Sequence, residues 1–247
     1  MGTDAKILFL DIETAPSLGW VWGKWEQNVI DFKRDWYVLS FAYKWAGDKK
    51  VTAKGLNDYK GYQKDRENDK ALLADIWELL DETDIVVAHN GDKFDLPKIN
   101  TRLLQHKNVP PSPYKTVDTL KIARKVFAFD SNKLDDLGRY LGVGRKLPHT
   151  GFHLWKGCME GDKEAWNLMK KYNGHDVELL EQVYYIVRAW DRQHPQVNQG
   201  RTADEACPKC GSLKVQRRGF SYTLLRRKQR FQCTSCSTWY EGSAKKA

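Results

Sequence analysis

No apolar run in these 247 residues approaches the roughly 20 needed to cross a bilayer, so the sequence offers no spanning helix. The opening Met-Gly-Thr-Asp-Ala-Lys lacks the apolar centre of a signal peptide, and Lys6 stands where a myristoylation pattern needs Ser or Thr. Cysteine is scarce, with five residues, and nothing points to secretion, so a disulfide framework is not expected. Charge of one sign is also missing from most of the chain. Arg201 to Ala247 holds 11 Lys and Arg against 3 Asp and Glu, a net of +8, which leaves only +1 of the total +9 for the first 200 residues. These absences lead to the expectation of an intracellular, cytoplasmic protein without a membrane partner. What remains is an ordinary globular balance, 41% hydrophobic and 30% charged, in a chain long enough for one domain of roughly 190–200 residues and a small appendage. A basic tail after a near-neutral body is the footprint of a polyanionic partner; its ordinary alternative is a solubilising tail.

The most informative stretch is Ile7 to Thr14, Ile-Leu-Phe-Leu-Asp-Ile-Glu-Thr. A short apolar run bounded by a loop predicts a buried strand, and residues two apart on a strand share a face. Asp11 and Glu13 are therefore expected side by side, an arrangement that is costly unless a cation lies between them. Two further strands are predicted over Tyr37–Trp45 and Lys49–Gly55 around a Gly47-Asp48 turn, followed by an amphipathic helix over Asn68–Glu82. The Trp20, Trp22, Trp25 and Trp36 residues between them have packing as their ordinary role and base stacking as the alternative. Ile85–Ala88 reads as a strand leading through the Asn90-Gly91 turn to a helix with Pro97 in its first turn, which places Asp95 near that helix's N-terminus. Asp118 reads as a helix cap after a short strand, and Ser131 as the cap of a helix ended by Gly142. Gly142 to Gly161 is read as loop, with structural roles for His149, His153 and Cys158. Lys163 to Trp190 has helical periodicity with a bend or a boundary expected at Gly174, and on it Tyr172 and Asp176, four apart, share a face.

Together Asp11-Ile12-Glu13-Thr14, Asn90-x-x-x-Phe94-Asp95 and Tyr172-x-x-x-Asp176 resemble the three motifs of the DnaQ-like 3′–5′ exonucleases of the DEDD superfamily. The resemblance covers residues 6 to 190 or so. It falls in the tyrosine subgroup, because Lys171 stands where the histidine subgroup has its His; His175 fits neither role. The resemblance implies an α/β fold with a ribonuclease-H-like mixed sheet flanked by helices. It also implies Asp11, Glu13, Asp95 and Asp176 as ligands of two Mg²⁺ or Mn²⁺ ions, with Tyr172 orienting the attacking water. Phosphodiester hydrolysis needs an activated water and neutralised oxygens, which a pair of hard cations on carboxylates can supply.

Residues 193–205 read as a polar linker between an exonuclease domain over 1–192 and a small unit over 206–247. Cys207-Pro208-Lys209-Cys210 and Cys233-Thr234-Ser235-Cys236 resemble the two knuckles of a zinc ribbon, with one Zn²⁺ on four thiolates. So short a unit lacks the core to fold unaided, and the metal supplies the missing constraint. Between the knuckles, Arg217, Arg218, Arg226, Arg227, Lys228 and Arg230 alternate with Phe220, Tyr222 and Phe231, a mixture suited to gripping a strand's backbone and stacking its bases. The expected function is a metal-dependent 3′–5′ exonuclease on DNA, on single strands or frayed 3′ ends. It would stand alone or proofread in trans for a DNA polymerase or other replication protein, and is similar to bacteriophage replication components. An exoribonuclease and a non-catalytic nucleic-acid-binding adaptor are the alternatives.

Overall fold

The computed structural model describes residues 5–25, 28–198 and 201–242. Residues 1–4 of the expected exonuclease domain, 199–200 of the expected linker and 243–247 of the expected ribbon lie outside the described residues.

The run Ile7–Leu10 is buried, and it opens β1 (Ile7–Thr14). A short hairpin, β2 (Leu18–Trp20) with β3 (Asp31–Arg34), leaves its end. The chain then returns as β4 (Val38–Trp45), antiparallel to β1, and β5 (Thr52–Gly55), antiparallel to β4. Helix α1 (Lys70–Glu82) crosses to β6 (Ile85–Ala88), which runs parallel to β1; α2 (Asp95–Gln105) crosses to β7 (Lys115–Asp118), parallel to β6. Four helices follow: α3 (Thr119–Val126), α4 (Leu134–Leu141), α5 (Phe152–Glu160) and α6 (Lys163–Val187). The sheet order is β5-β4-β1-β6-β7, a five-stranded mixed sheet with β1 at its centre. A strand covered on both faces reads as continuously apolar, which is why β1 and β6 show no polar alternation. Leu8, Leu10 and Ile12 point into one core with α1, α2 and α5; Ile7 and Phe9 point into the other with α3 and α4.

Helix α6 serves both cores. Trp166, Met169 and Tyr172 pack in the first, and Val177, Leu180, Val183 and Tyr184 in the second. The helix runs unbroken through Gly174, where a bend or a boundary within it was expected. A Cβ there would lie 3.3 Å from Val51 Cγ1 and 3.7 Å from Ala53 Cβ, so the glycine lets the helix lie close against β5 and the residues before it.

Other local readings also change. Ser131 does not cap α4; its hydroxyl donates to Asp136, and Lys133 is the capping position. Part of the Gly142–Gly161 loop folds as α5, whose one inward face, Leu154 and Cys158, is too short for a clear period. Burial pushes the Cys158 thiol up to about 12, so it stays protonated in the core. The expected packing role fails for three tryptophans: Trp20, Trp22 and Trp25 are exposed around the β2–β3 hairpin. Trp36 lies nearer the body, with the Lys98 ammonium 3.8 Å from its ring centre. Asp118 does cap α3, its carboxylate accepting from Leu120 N and Lys121 N.

After α6 the chain stays in contact with the body. Val197 joins the second core, and Tyr184 hydroxyl and His194 Nε2 are 2.8 Å apart. The last strands form a separate sheet of order β10-β9-β8, from β8 (Val215–Tyr222), β9 (Arg227–Cys233) and β10 (Trp239–Glu241). No helix among the described residues is long and apolar enough to cross a membrane.

Candidate active site and metal centres

The carboxylates gather where β1 ends. Asp11 and Glu13 sit two apart on that strand, opposite Ala42 and Ser40 of β4. Asp176 reaches them from the middle of α6. One oxygen from each of Asp11, Glu13 and Asp176 falls within 4.8 Å of the others. Asp95 arrives from a third segment. The turn before it is tight: Asn90 is left-handed (φ 68°), and a Cβ on Gly91 would lie 2.4 Å from Ala88 Cβ. That turn brings the first residue of α2 back over β1, where Asp95 Oδ1 accepts from Ile12 N at 3.0 Å. Asp95 is thus tied to the backbone between Asp11 and Glu13 and lies beside the three-carboxylate grouping, not within it.

Burial dominates the electrostatics, and repulsion between the acids adds to it at Asp11 and Glu13. Burial, then the charges of Asp95, Glu13 and Asp176, hold the Asp11 carboxyl well above its usual range. Burial pushes Glu13 up to about 8, against the pull of Lys146. It pushes Asp95 up to about 7, with the Ile12 N–H opposing. Asp176 is raised by burial and drawn back by Lys146 and Tyr172. Carboxylates crowded and desolvated in this way hold protons unless positive charge joins them.

Two residues at the site carry no signal in the sequence reading. Lys146, from the irregular stretch between α4 and α5, donates to Asp176 Oδ2 at 2.5 Å and to the Tyr172 hydroxyl at 3.0 Å. Asp176 holds its proton affinity above the ordinary range, so this ammonium stays charged. Asn173, fully buried, donates through Nδ2 to Asp11 Oδ2 at 2.5 Å, and its own Oδ1 accepts from Ser40 Oγ at 3.1 Å. Only the identity of an amide inside the third motif hinted at it. Tyr172 is buried beside Asp176 and packs edge-on against His149. Burial and the Asp176 charge raise its hydroxyl, so it stays a donor and not a base. Next to Lys146 opens a cleft of about 560 Å³, lined by His89, Asn90, Arg124, Asn132 and Lys133 among others, rich in groups suited to a phosphate-bearing chain.

A divalent cation fits the residues present. The donors are hard oxygens, and Asp176 Oδ1 is buried with no hydrogen-bond partner among the described residues. The thiols fit a different ion. Cys207, Cys210, Cys233 and Cys236 form one group, with sulfurs 3.7 Å apart for Cys207–Cys236 and 3.6 Å for Cys210–Cys233. A disulfide would need about 2.0 Å. A tetrahedral site with bonds of about 2.3 Å puts its sulfurs about 3.8 Å apart, close to what is observed. The cluster therefore fits the four-thiolate site of a zinc ribbon.

The predicted basic residues lie on the β8–β9 arm. Arg217, Arg218, Arg226, Arg227 and Arg230 are exposed there, and Lys228 is partly covered by its pairing with Glu241 at 3.2 Å.

A mixed sheet with acids at the end of its central strand, and a last helix bringing another acid across, defines the ribonuclease-H-like class. The chain belongs to the RNase H superfamily, whose family model matches residues 8–188. No curated protein sequence matches it. Among solved structures it is similar to the family B DNA polymerase of the hyperthermophilic archaeon Pyrobaculum calidifontis. That likeness has a TM-score of 0.52 and 17% identity over 76% of this chain, and the chain spans only 26% of the polymerase's length.

Proposed function

We propose that the protein is a metal-dependent 3′–5′ exonuclease acting on DNA, on single strands or frayed 3′ ends, alone or in trans with a DNA polymerase. The observation that carries this reading is the meeting of Asp11, Glu13 and Asp176 within 4.8 Å, Asp176 buried and the other two half-buried at the end of β1. Such a site is built to be completed by cations. Asp11, Glu13 and Asp176, with Asp95 alongside, would hold Mg²⁺ or Mn²⁺, and two such ions supply water activation and neutralise charge on the attacked phosphate.

The chain's own residues do the rest. Asn173, anchored on Ser40, fixes the rotamer of Asp11. The Ile12 N–H does the same for Asp95. Tyr172, kept protonated, orients a water through its hydroxyl. Lys146 steadies Asp176 and Tyr172 together and offers a fixed positive charge beside the phosphate path. The four cysteines would hold Zn²⁺ and stiffen the arm that presents the arginines, which grip the backbone without reading sequence.

The test is digestion of 5′-labelled DNA and RNA oligonucleotides with Mg²⁺ or Mn²⁺. Asp11→Ala and Asp176→Ala should each cut mononucleotide release by more than about a hundredfold, since losing a ligand exceeds the loss of its supporting shell. Circular dichroism should show both variants folded. Undiminished turnover in both would remove these acids from the active site, and faster digestion of RNA would make the substrate RNA.

A further inference from the structure

The β8–β9 arm ends in a turn that holds two leucines out into solvent. Thr223 N donates to Arg226 O at 2.8 Å, and Arg226 N donates to Thr223 Oγ1 at 3.0 Å, so Leu224 and Leu225 alone form the tip. Neither leucine has a positive φ, so the turn is not one that demands Asn or Gly, and its backbone does not explain the choice of leucine. The two aliphatic side chains are 104% and 91% exposed and pack against nothing among the described residues. Adjacent large aliphatic side chains held fully in solvent, with no packing in return, point to use by a partner.

The surroundings say which partner. Arg226 and Arg227 follow the tip directly, and Arg217 and Arg218 stand further down the facing strand. Among the described residues, the acids paired with the arm are Asp204, 3.7 Å from Arg217, and Glu241, which pairs with Lys228. The Arg227 guanidinium lies 4.3 Å from the centre of the Phe220 ring, and Tyr222 is exposed one strand position before the turn. An apolar point carried on a stem of arginines stacked with aromatics matches a nucleic-acid duplex, with phosphates beside the stem and base steps at the point. Leucine is among the side chains that unstack a step when pushed into it.

We infer that Leu224 and Leu225 form a wedge that enters a base step of duplex nucleic acid next to the 3′ end and opens the terminal pairs. The inference rests on the exonuclease reading for its substrate and extends it by assigning strand opening to the ribbon. The wedge replaces lost base stacking with aliphatic contact, while Arg226 and Arg227 hold the phosphates on either side.

The experiment uses the full, zinc-loaded chain carrying Asp11→Asn, so that no DNA is consumed, and a blunt duplex with 2-aminopurine at the second pair from one 3′ end. Binding should raise the fluorescence as that base unstacks. The added pair Leu224→Ser and Leu225→Ser should abolish the rise while leaving affinity for a single strand within about threefold; Leu224→Met with Leu225→Met should restore it. In the active chain, the serine pair should slow release from blunt ends about tenfold and leave single-strand digestion unchanged. No rise with the parent chain, or an equal rise with the serine pair at unchanged zinc content, overturns the wedge. So does loss of binding to vesicles of 3:1 phosphatidylcholine and phosphatidylserine by the serine pair with its fluorescence response intact, which would make the tip a membrane anchor. The fluorescence does not depend on turnover, so an inactive protein that still opens the duplex would sink the exonuclease reading alone.

Discussion

Asp176 sits with one oxygen against the Lys146 ammonium and the other without a donor, and that imbalance sums up the site at the scale of single residues. The fold gathers more negative charge than its own groups neutralise. Glu13 shows the consequence most simply. Its carboxyl is pushed up to about 8 from an ordinary 4.5, so between these values the folded chain keeps a proton that the unfolded chain has released. This contribution to stability is complete below about pH 4.5 and is lost as pH rises through 8. With zinc retained and no Mg²⁺ or Mn²⁺ added, Glu13→Gln should therefore melt higher than the parent at pH 8.5, by at least about 2–4 °C, and the gap should close by pH 5. A thermal scan at the two pH values checks this; a lower melting temperature at pH 8.5 would show that the Glu13 charge is satisfied within the protein. Asp11, Glu13 and Asp95 stood out in the sequence because each lies at a break in an apolar pattern, at a strand end or a helix start; Asp176, in mid-helix, stood out only by its spacing from Tyr172. Lys146 did not, because it lies in an irregular stretch where no period says which way a side chain points. Asn173 was hidden for another reason: its neighbours Tyr172 and Asp176 carry the recognisable spacing, and an amide at that place reads as any polar residue.

Among the elements, α6 matters most, since it packs in both cores and delivers Tyr172, Asn173 and Asp176 to the end of β1. Its position depends on how closely it lies on the sheet. Gly174→Val would drive its side chain into Val51, already 3.3 Å from where a Cβ would stand. The expected cost is about 1–3 kcal/mol in urea unfolding, with activity falling more steeply than stability because the neighbouring site residues move. An unchanged midpoint would mean that the helix has room to spare. The same glycine explains why a helix reading of this region invited a bend: glycine weakens helix propensity, and the tertiary reason for it is visible only once β5 lies alongside. Among the strands of the mixed sheet, β1 and β6 were readable from continuous apolar runs. Helix α5 and the β2–β3 hairpin were not, since one has a single inward face and the other carries apolar residues outward. The exposed Trp20, Trp22 and Trp25 invert the rule that large aromatics go inside.

On the scale of the whole molecule, the chain joins a carboxylate site to a basic arm through a segment that stays on the body. Lys209, within the first cysteine knuckle, donates to the carbonyls of Arg188 and Ala189 at 3.2 and 3.1 Å and to that of Asp191, closing the exposed end of α6. The first knuckle is thereby tied to the chain just past the helix that carries Asp176. Charge at the arm should act on binding and not on chemistry. Arg226→Ala with Arg227→Ala should lower the slope of log affinity against log salt by about 0.7 per lost contact on a single strand, with kcat on a short oligonucleotide unchanged. A slope equal to the parent's would place the nucleic acid elsewhere on the surface. The concentration of positive charge was legible from the sequence alone; its geometry was not, because the pairing of β8 with β9 and the bulge between Arg217 and Phe220 decide which arginines share a face.

All of this depends on acids from three distant segments sharing divalent ions, and Mn²⁺ titration of the zinc-loaded chain by calorimetry measures that most directly. The account predicts two Mn²⁺ per chain, with proton release as the raised carboxyls ionise, and loss of both sites in the Asp11→Ala, Asp176→Ala double variant. Binding that is absent in the parent, or that survives in the double variant, would contradict it.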